Sequence, residues 1–90
     1  MSLDSDKMAA LRQRFLASAA EQAERIEALL EAGDLEGVRA LAHSLAGRSG
    51  MFGFVELGEL ARDVDEAEAE GLPERARALL AGLGGVAQER

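Results

Sequence analysis

The sequence predicts an all-α protein that folds as an antiparallel, up-down-up-down four-helix bundle. Apolar residues recur at intervals of three and four, and no stretch shows the sustained alternation typical of a β-strand. Glycine, aspartate and proline divide this pattern into amphipathic segments joined by a few residues each. Because such short connections make successive helices antiparallel neighbours, the apolar stripes are expected to close around one core.

The first segment is predicted to be a helix over residues 5–32. An acidic or hydroxyl residue is expected to cap its start, and the candidates are Asp4, Ser5 and Asp6. Gly33 is expected to end it, because glycine readily adopts the left-handed conformation that closes many helices. Its apolar stripe comprises Met8, Leu11, Phe15, Ala19, Ala23, Ile26 and Leu30.

The second segment is predicted to be a helix over residues 34–50, with Asp34 as its N-cap. The stretch from Ser49 to Gly53 contains two glycines, so it is expected to weaken the helix and turn the chain. The apolar stripe of this segment comprises Leu35, Val38, Leu41, Ala42, Leu45, Ser49 and Phe52.

The third and fourth segments are predicted to be helices over residues 54–70 and 73–88. Pro73 suits the first position of a helix, where its missing N–H costs nothing. Fraying is expected near the end of the fourth helix, because Gly82, Gly84 and Gly85 are poor helix formers. All four helices are assigned to one domain, residues 1–90. The apolar stripes comprise Leu57, Leu60, Ala61, Val64 and Ala67, then Ala76, Leu79, Leu80, Leu83 and Val86.

Composition excludes several classes of function. The 90 residues include no cysteine and a single histidine, His43, so thiol catalysis, disulfides and multi-histidine metal sites are excluded. A net charge of −7 argues against a nucleic-acid partner, because such binding relies on Lys and Arg. No apolar run approaches the roughly 20 residues of a membrane span, and the N-terminus lacks a signal-peptide pattern. We therefore expect a cytoplasmic protein without a metal, a cofactor, or a nucleic-acid or membrane partner.

His43 is the candidate functional residue. With about 100° of rotation per residue, it lies about 150° from the centre of the second apolar stripe, on the solvent face. The alternative is an exposed histidine without a role. Residues three, four and seven positions away share its face. They are Glu36, Arg39, Ala40, Ala46, Gly47 and Gly50.

The small residues around His43 favour a docking surface. Gly47 and Gly50 each cost about 1 kcal/mol relative to alanine inside a helix, which a face built for stability alone would avoid. Close approach of a partner to the backbone explains this cost, and an early helix end near Gly47 is the alternative. Arg39 and Arg48 are the charged residues between Gly37 and Val55, which predicts a locally basic patch, with chance segregation as the alternative.

The chemistry open to a lone exposed imidazole is nucleophilic. Its unperturbed pKa of about 6.5 leaves the ring largely neutral at cellular pH. The sequence contains no Gly-rich phosphate loop and no motif for a nucleotide pocket. His43 can therefore carry a phosphoryl group, but the rest of the active site must come from a partner.

A run of residues around the histidine carries a family resemblance. The run AHSLAG at residues 42–47, with Gly53 ten residues after the histidine, resembles the signature of histidine phosphotransfer (HPt) domains. The runs GDL at residues 33–35 and LGELA at residues 57–61 also fit the family pattern. The family fold is a four-helix bundle.

The resemblance implies a phosphorelay intermediate of a two-component pathway. His43 would accept a phosphoryl group from the aspartate of one response-regulator receiver domain and pass it to the aspartate of another. A hybrid sensor histidine kinase is a further expected partner, and Mg²⁺ and a lysine would come from the receiver. By the same likeness, Gly47 and Gly50 would let the receiver approach, and Gly53 would fit the tight turn after the helix.

One departure from the family pattern motivates an alternative function. Ala46 stands where the family usually has a lysine, and Arg39 on the same face is the predicted substitute, while Arg48 lies closer to the core boundary. The alternative is a receiver- or kinase-binding helical module that carries no phosphate. An independent hydrolase is disfavoured, because Ser44 does not share the face of His43 and no orienting carboxylate is evident.

Overall fold

The computed structural model describes residues 3–88, which form four helices joined by short turns. The helices are α1 (Leu3–Glu31), α2 (Leu35–Met51), α3 (Val55–Glu66) and α4 (Leu72–Gln88). α1 packs against α4 and, less extensively, against α2, while α3 packs against α2 and α4. The predicted all-α, four-helix bundle is confirmed. Among the described helices, none combines the length and the apolar character that crossing a membrane requires.

One core cluster draws apolar residues from every helix. The predicted stripes of α2, α3 and α4 supply most of it, in the three-and-four spacing that places them on one face. Burying each large aliphatic side chain contributes about 1.5–3 kcal/mol, so this cluster holds the bundle together. Its fully buried large members include Ile26, Val38, Leu45, Val64, Leu72, Leu79 and Leu83.

The turn between α1 and α2 follows the prediction. Gly33 has a φ of 74°, in the left-handed region, and directly precedes the cap of α2. The side chain of Asp34 accepts a hydrogen bond of 2.9 Å from the backbone N–H of Gly37. Gly33 therefore closes α1 and Asp34 caps α2, as the sequence indicates.

Two helix boundaries differ from the prediction by more than one residue. α3 ends at Glu66 and not at residue 70, because Ala67 has an extended ψ of 149°. The acidic residues that follow are unfavourable at a helix C-terminus, where the macrodipole is negative. α1 begins at Leu3, ahead of the three predicted capping residues, so its cap lies outside the described residues.

The first turns of α1 extend beyond the core. Met8 and Leu11 are 40% and 38% exposed, although the sequence pattern placed both in the apolar stripe. α1 has 29 residues and α2 and α4 have 17 each, so its N-terminal turns find little to pack against. This helix, about 43 Å long, accounts for most of the longest dimension of the molecule, 48 Å.

α4 stays helical through its glycines, contrary to the expected fraying. A Cβ atom on Gly82 would lie 2.7 Å from Leu60 Cδ1 and 3.3 Å from Leu57 Cδ1. The glycine therefore lets α4 pack closely on α3, and this packing offsets its poor helix propensity.

Candidate functional site

His43 lies near the middle of α2 and projects from the bundle. Its side chain is 77% exposed, which confirms the solvent-facing position predicted from the helical wheel. The flanking core residues Ala42 and Leu45 are fully buried. The helix backbone that carries His43 is thus anchored from the opposite side, while the ring itself stays accessible.

An aspartate of α3 holds one nitrogen of this ring. The distance between His43 Nδ1 and Asp65 Oδ2 is 2.9 Å, and the Asp65 side chain is 28% exposed. An ionised carboxylate can only accept hydrogen bonds, so Nδ1 carries the proton and donates a hydrogen bond to Asp65. In the neutral ring, the lone pair then resides on Nε2. This hydrogen bond therefore favours the tautomer in which Nε2 keeps the lone pair.

Small residues between α2 and α3 bring this aspartate within reach. Gly58 is buried, and a Cβ atom there would lie 3.5 Å from Ser49 Cβ and 3.7 Å from the backbone oxygen of Ala46. Ala42 and Ala61 are likewise fully buried. Without larger side chains between them, the two helices approach closely enough for a short aspartate to contact the ring.

Arg39 secures the end of α3 beside His43. Its Nη1 donates a hydrogen bond to the backbone oxygen of Asp65, in the last turn of α3. The last carbonyls of a helix lack partners within the helix, and an arginine can satisfy them. The structure thus assigns Arg39 a contact that positions Asp65.

The remaining predicted docking residues lie around the histidine. Gly47 and Gly50 are exposed, and a Cβ atom on either would meet no atom within 4 Å. Ala40 is also exposed, whereas Ala46 is half-buried on the α3 side of the helix. Gly53 has a φ of 84° in the turn between α2 and α3.

Asp65 is the site residue that sequence reasoning missed. It belongs to the acidic segment of residues 56–74, and it is 22 residues from His43. The surface beside the histidine therefore carries a carboxylate and is not the purely basic patch that was predicted. The expectation that no carboxylate orients the ring is also wrong. Asp65 directly follows Val64, at the edge of the apolar stripe of α3. That position could have indicated that its side chain lies close to a neighbouring helix.

The other chemistries considered find little support at this site. Ser49 is fully buried and Ser44 lies on the flank of α2 that faces α1; among the described residues, the hydrogen bond of the His43 ring is with Asp65, and neither serine shares it. Within residues described by the structure, no group of three or more His, Asp or Glu side chains is placed to bind a metal ion. The geometry is that of an imidazole held at one nitrogen and open to solvent at the other.

Comparison with known proteins identifies a family. A family model for the Hpt domain matches residues 10–89 of the chain. That span includes His43, Asp65 and the turns on either side of α2. No curated protein and no solved structure matches the chain.

Proposed function

The chain belongs to the Hpt domain family, and we propose that it is a phosphorelay intermediate that carries a phosphoryl group on Nε2 of His43. Hpt domains have a phosphotransfer-related role in two-component signalling and interact with response-regulator receiver domains. The observation that supports the assignment to Nε2 is the 2.9 Å hydrogen bond between His43 Nδ1 and Asp65.

The proposed transfer is an in-line displacement at phosphorus. The Nε2 lone pair attacks the phosphoryl group on a receiver aspartate, an N–P bond forms, and the P–O bond to the aspartate breaks. The electron pair leaves with the carboxylate of the receiver. The proton on Nδ1 stays on the ring, where Asp65 stabilises the positive charge that develops. The same steps in reverse deliver the group to a second receiver.

Accessibility supports a partner that completes the site. The ring is 77% exposed, and the bare backbone at Gly47 and Gly50 leaves space for a receiver surface to contact α2. In this proposal the receiver supplies Mg²⁺ and a lysine, as expected from the family resemblance. The open surface of α2 supplies the oriented imidazole.

Labelling with a phosphorylated receiver tests the proposal. We expect the wild-type chain to acquire a label that is lost in acid and stable in alkali, as for a phosphoramidate. His43→Gln should abolish the label, because glutamine keeps the size and polarity of the side chain but has no ring nitrogen. Arg77→Gln, an exposed change on α4, is the control and should retain the label.

Two results would revise the assignment. A label that persists in His43→Gln would remove His43 from the role. Tight binding of a receiver without any label on the wild-type chain would instead support the alternative of a receiver-binding module, which the absence of the usual lysine at Ala46 motivates.

A further inference from the structure

A groove runs between α1 and α2 on the flank of α2 that α3 does not cover. It is an open depression of about 580 Å³, lined by residues of α2 on either side of His43. It exists because α1 packs less extensively against α2 than against α4. Its polar lining residues are Gln22 and Arg25 from α1, and Ser44 and Arg48 from α2.

The groove is positively charged in an acidic protein. Its described lining includes two arginines and no acid, although the net charge of the chain is −7. Among the described residues, neither Arg25 nor Arg48 forms an ion pair. Arg14 and Arg48 line an adjoining pocket of about 300 Å³, so the basic surface continues along α1. From Arg14 to Arg25 it spans about 16 Å, the length of three helical turns.

Two polar groups inside this groove have no partner within the described chain. Gln22 is 7% exposed, and its Oε1 atom accepts no hydrogen bond. The Nε atom of Arg48 is buried and donates none, while its guanidinium lies 5.7 Å from the centre of the Phe15 ring. Buried polar groups are normally satisfied, so these two atoms are exceptions on the floor of the groove, and their side-chain resonances can report on what binds above them.

The groove adjoins the reactive ring on its open side. On the helical wheel, Ala40 and Ser44 lie about 60° and 100° from His43 on the α1 side, whereas Arg39 lies on the α3 side. Arg39 donates to the backbone of Asp65, whereas Arg25 and Arg48 line the groove and form no ion pair within the described residues. A partner centred on His43 therefore covers the groove as well.

We propose that this groove binds an acidic segment of the receiver that docks on His43, with Arg25 and Arg48 contacting its carboxylates. This inference rests on the proposed function, and it identifies the chemistry of the partner surface. Complementary charge steers a partner and fixes its register, and it matters most where the remaining surface repels it. The groove lies on the α1 side of α2, so its arginines contact a different part of the partner from the lysine of the family pattern, whose position Ala46 occupies on the α3 side.

Binding measurements on the whole chain test the groove separately from phosphoryl transfer. Receiver domains of the same organism are titrated into the wild-type chain, and the receiver with the highest affinity is kept. Arg25→Glu should weaken its binding about tenfold, because the charge reversal replaces attraction with repulsion. Arg77→Glu, an equally exposed change on α4, should alter the affinity less than about twofold.

A second readout reports on the buried groups directly. In the ¹⁵N-labelled chain, we expect receiver binding to shift the side-chain resonances of Gln22 and the Nε resonance of Arg48. If both stay unchanged, or if Arg25→Glu binds within twofold of Arg77→Glu, the groove proposal is overturned. Shifts of these resonances on concentrating the chain alone would also overturn it, because the occupant would then be a second copy.

The two proposals fail in different ways. Labelling the wild-type chain with phosphoramidate or a phosphorylated receiver tests His43 as the acceptor, whereas affinity and chemical shifts test the groove without any transfer. Binding through the groove with no label would remove the proposed function and leave the groove. A label on His43 with no effect of Arg25→Glu would remove the groove and leave the function.

Discussion

At the scale of single residues, the reactivity of His43 depends on which ring nitrogen carries the proton. Asp65 settles this through a 2.9 Å contact with Nδ1. The exposed position of His43 was predictable, because it follows from helical periodicity alone. The contact was not, since it joins residues 22 positions apart and depends on how closely α2 and α3 pack.

Removing the carboxylate should slow transfer without removing the acceptor. In Asp65→Ala, we expect phosphoryl transfer to His43 to slow about tenfold or more, because the neutral ring then samples both tautomers. The ¹⁵N shifts of the ring should move toward an average of the two forms. Asp63→Asn, an exposed change on the same helix, is the control.

Unchanged ring shifts in Asp65→Ala would show that another group fixes the tautomer. Unchanged transfer with altered shifts would show that the tautomer does not limit the rate. A positioning role predicts that the ring shifts and the transfer rate both change relative to the control. A purely structural role predicts that both stay near the values of the control.

At the scale of the helices, local sequence determines where α1 ends and where α2 begins, but not where α3 ends. Gly33 and Asp34 provide backbone and side-chain signals that act within one turn. For α3, the apolar periodicity continues through Ala67, so the pattern predicts a longer helix than the structure contains. In the structure α3 ends at Glu66, and Arg39 of α2 donates to the backbone oxygen of Asp65 in its last turn.

The open glycines of α2 lead to a prediction about docking. Gly50→Glu should lower transfer from a receiver about tenfold or more, because a side chain projects where the partner approaches the helix. Helicity should stay nearly unchanged, since a Cβ atom at Gly50 meets no atom within 4 Å. Gly85→Glu, at an equally open position on α4, is the matched control.

Circular dichroism and transfer rates on both variants decide this point. Equal rates in Gly50→Glu and Gly85→Glu would contradict a docking surface over the C-terminal half of α2. Loss of helicity in Gly50→Glu alone would contradict the open geometry at that position.

At the scale of the whole molecule, the four-helix architecture was predictable and its asymmetry was not. Four amphipathic segments with short connections leave few other arrangements. The apolar stripe of α1 continues through Met8 and Leu11, yet these residues lie beyond the core that the shorter helices enclose. Periodicity identifies a face of a helix, but the lengths of its neighbours determine how much of that face is buried.

This asymmetry has a measurable effect on stability. Leu11→Ala should lower the free energy of unfolding by less than about 1 kcal/mol, because Leu11 is 38% exposed. Ile26→Ala should cost about 2–5 kcal/mol, because Ile26 is fully buried. Urea denaturation of the two variants measures both values, and equal costs would contradict a core that begins only after Leu11.

The exposure of His43 also bears on the direction of phosphoryl flow in the proposed relay. With 77% of the side chain open to water, the contact that the described residues make with the ring is the hydrogen bond from Nδ1 to Asp65. In the proposed relay, the equilibrium between two receivers depends on the receivers themselves and not on the carrier between them. We expect the direction of flow to follow mass action, reversing when the relative amounts of phosphorylated and free receivers are exchanged.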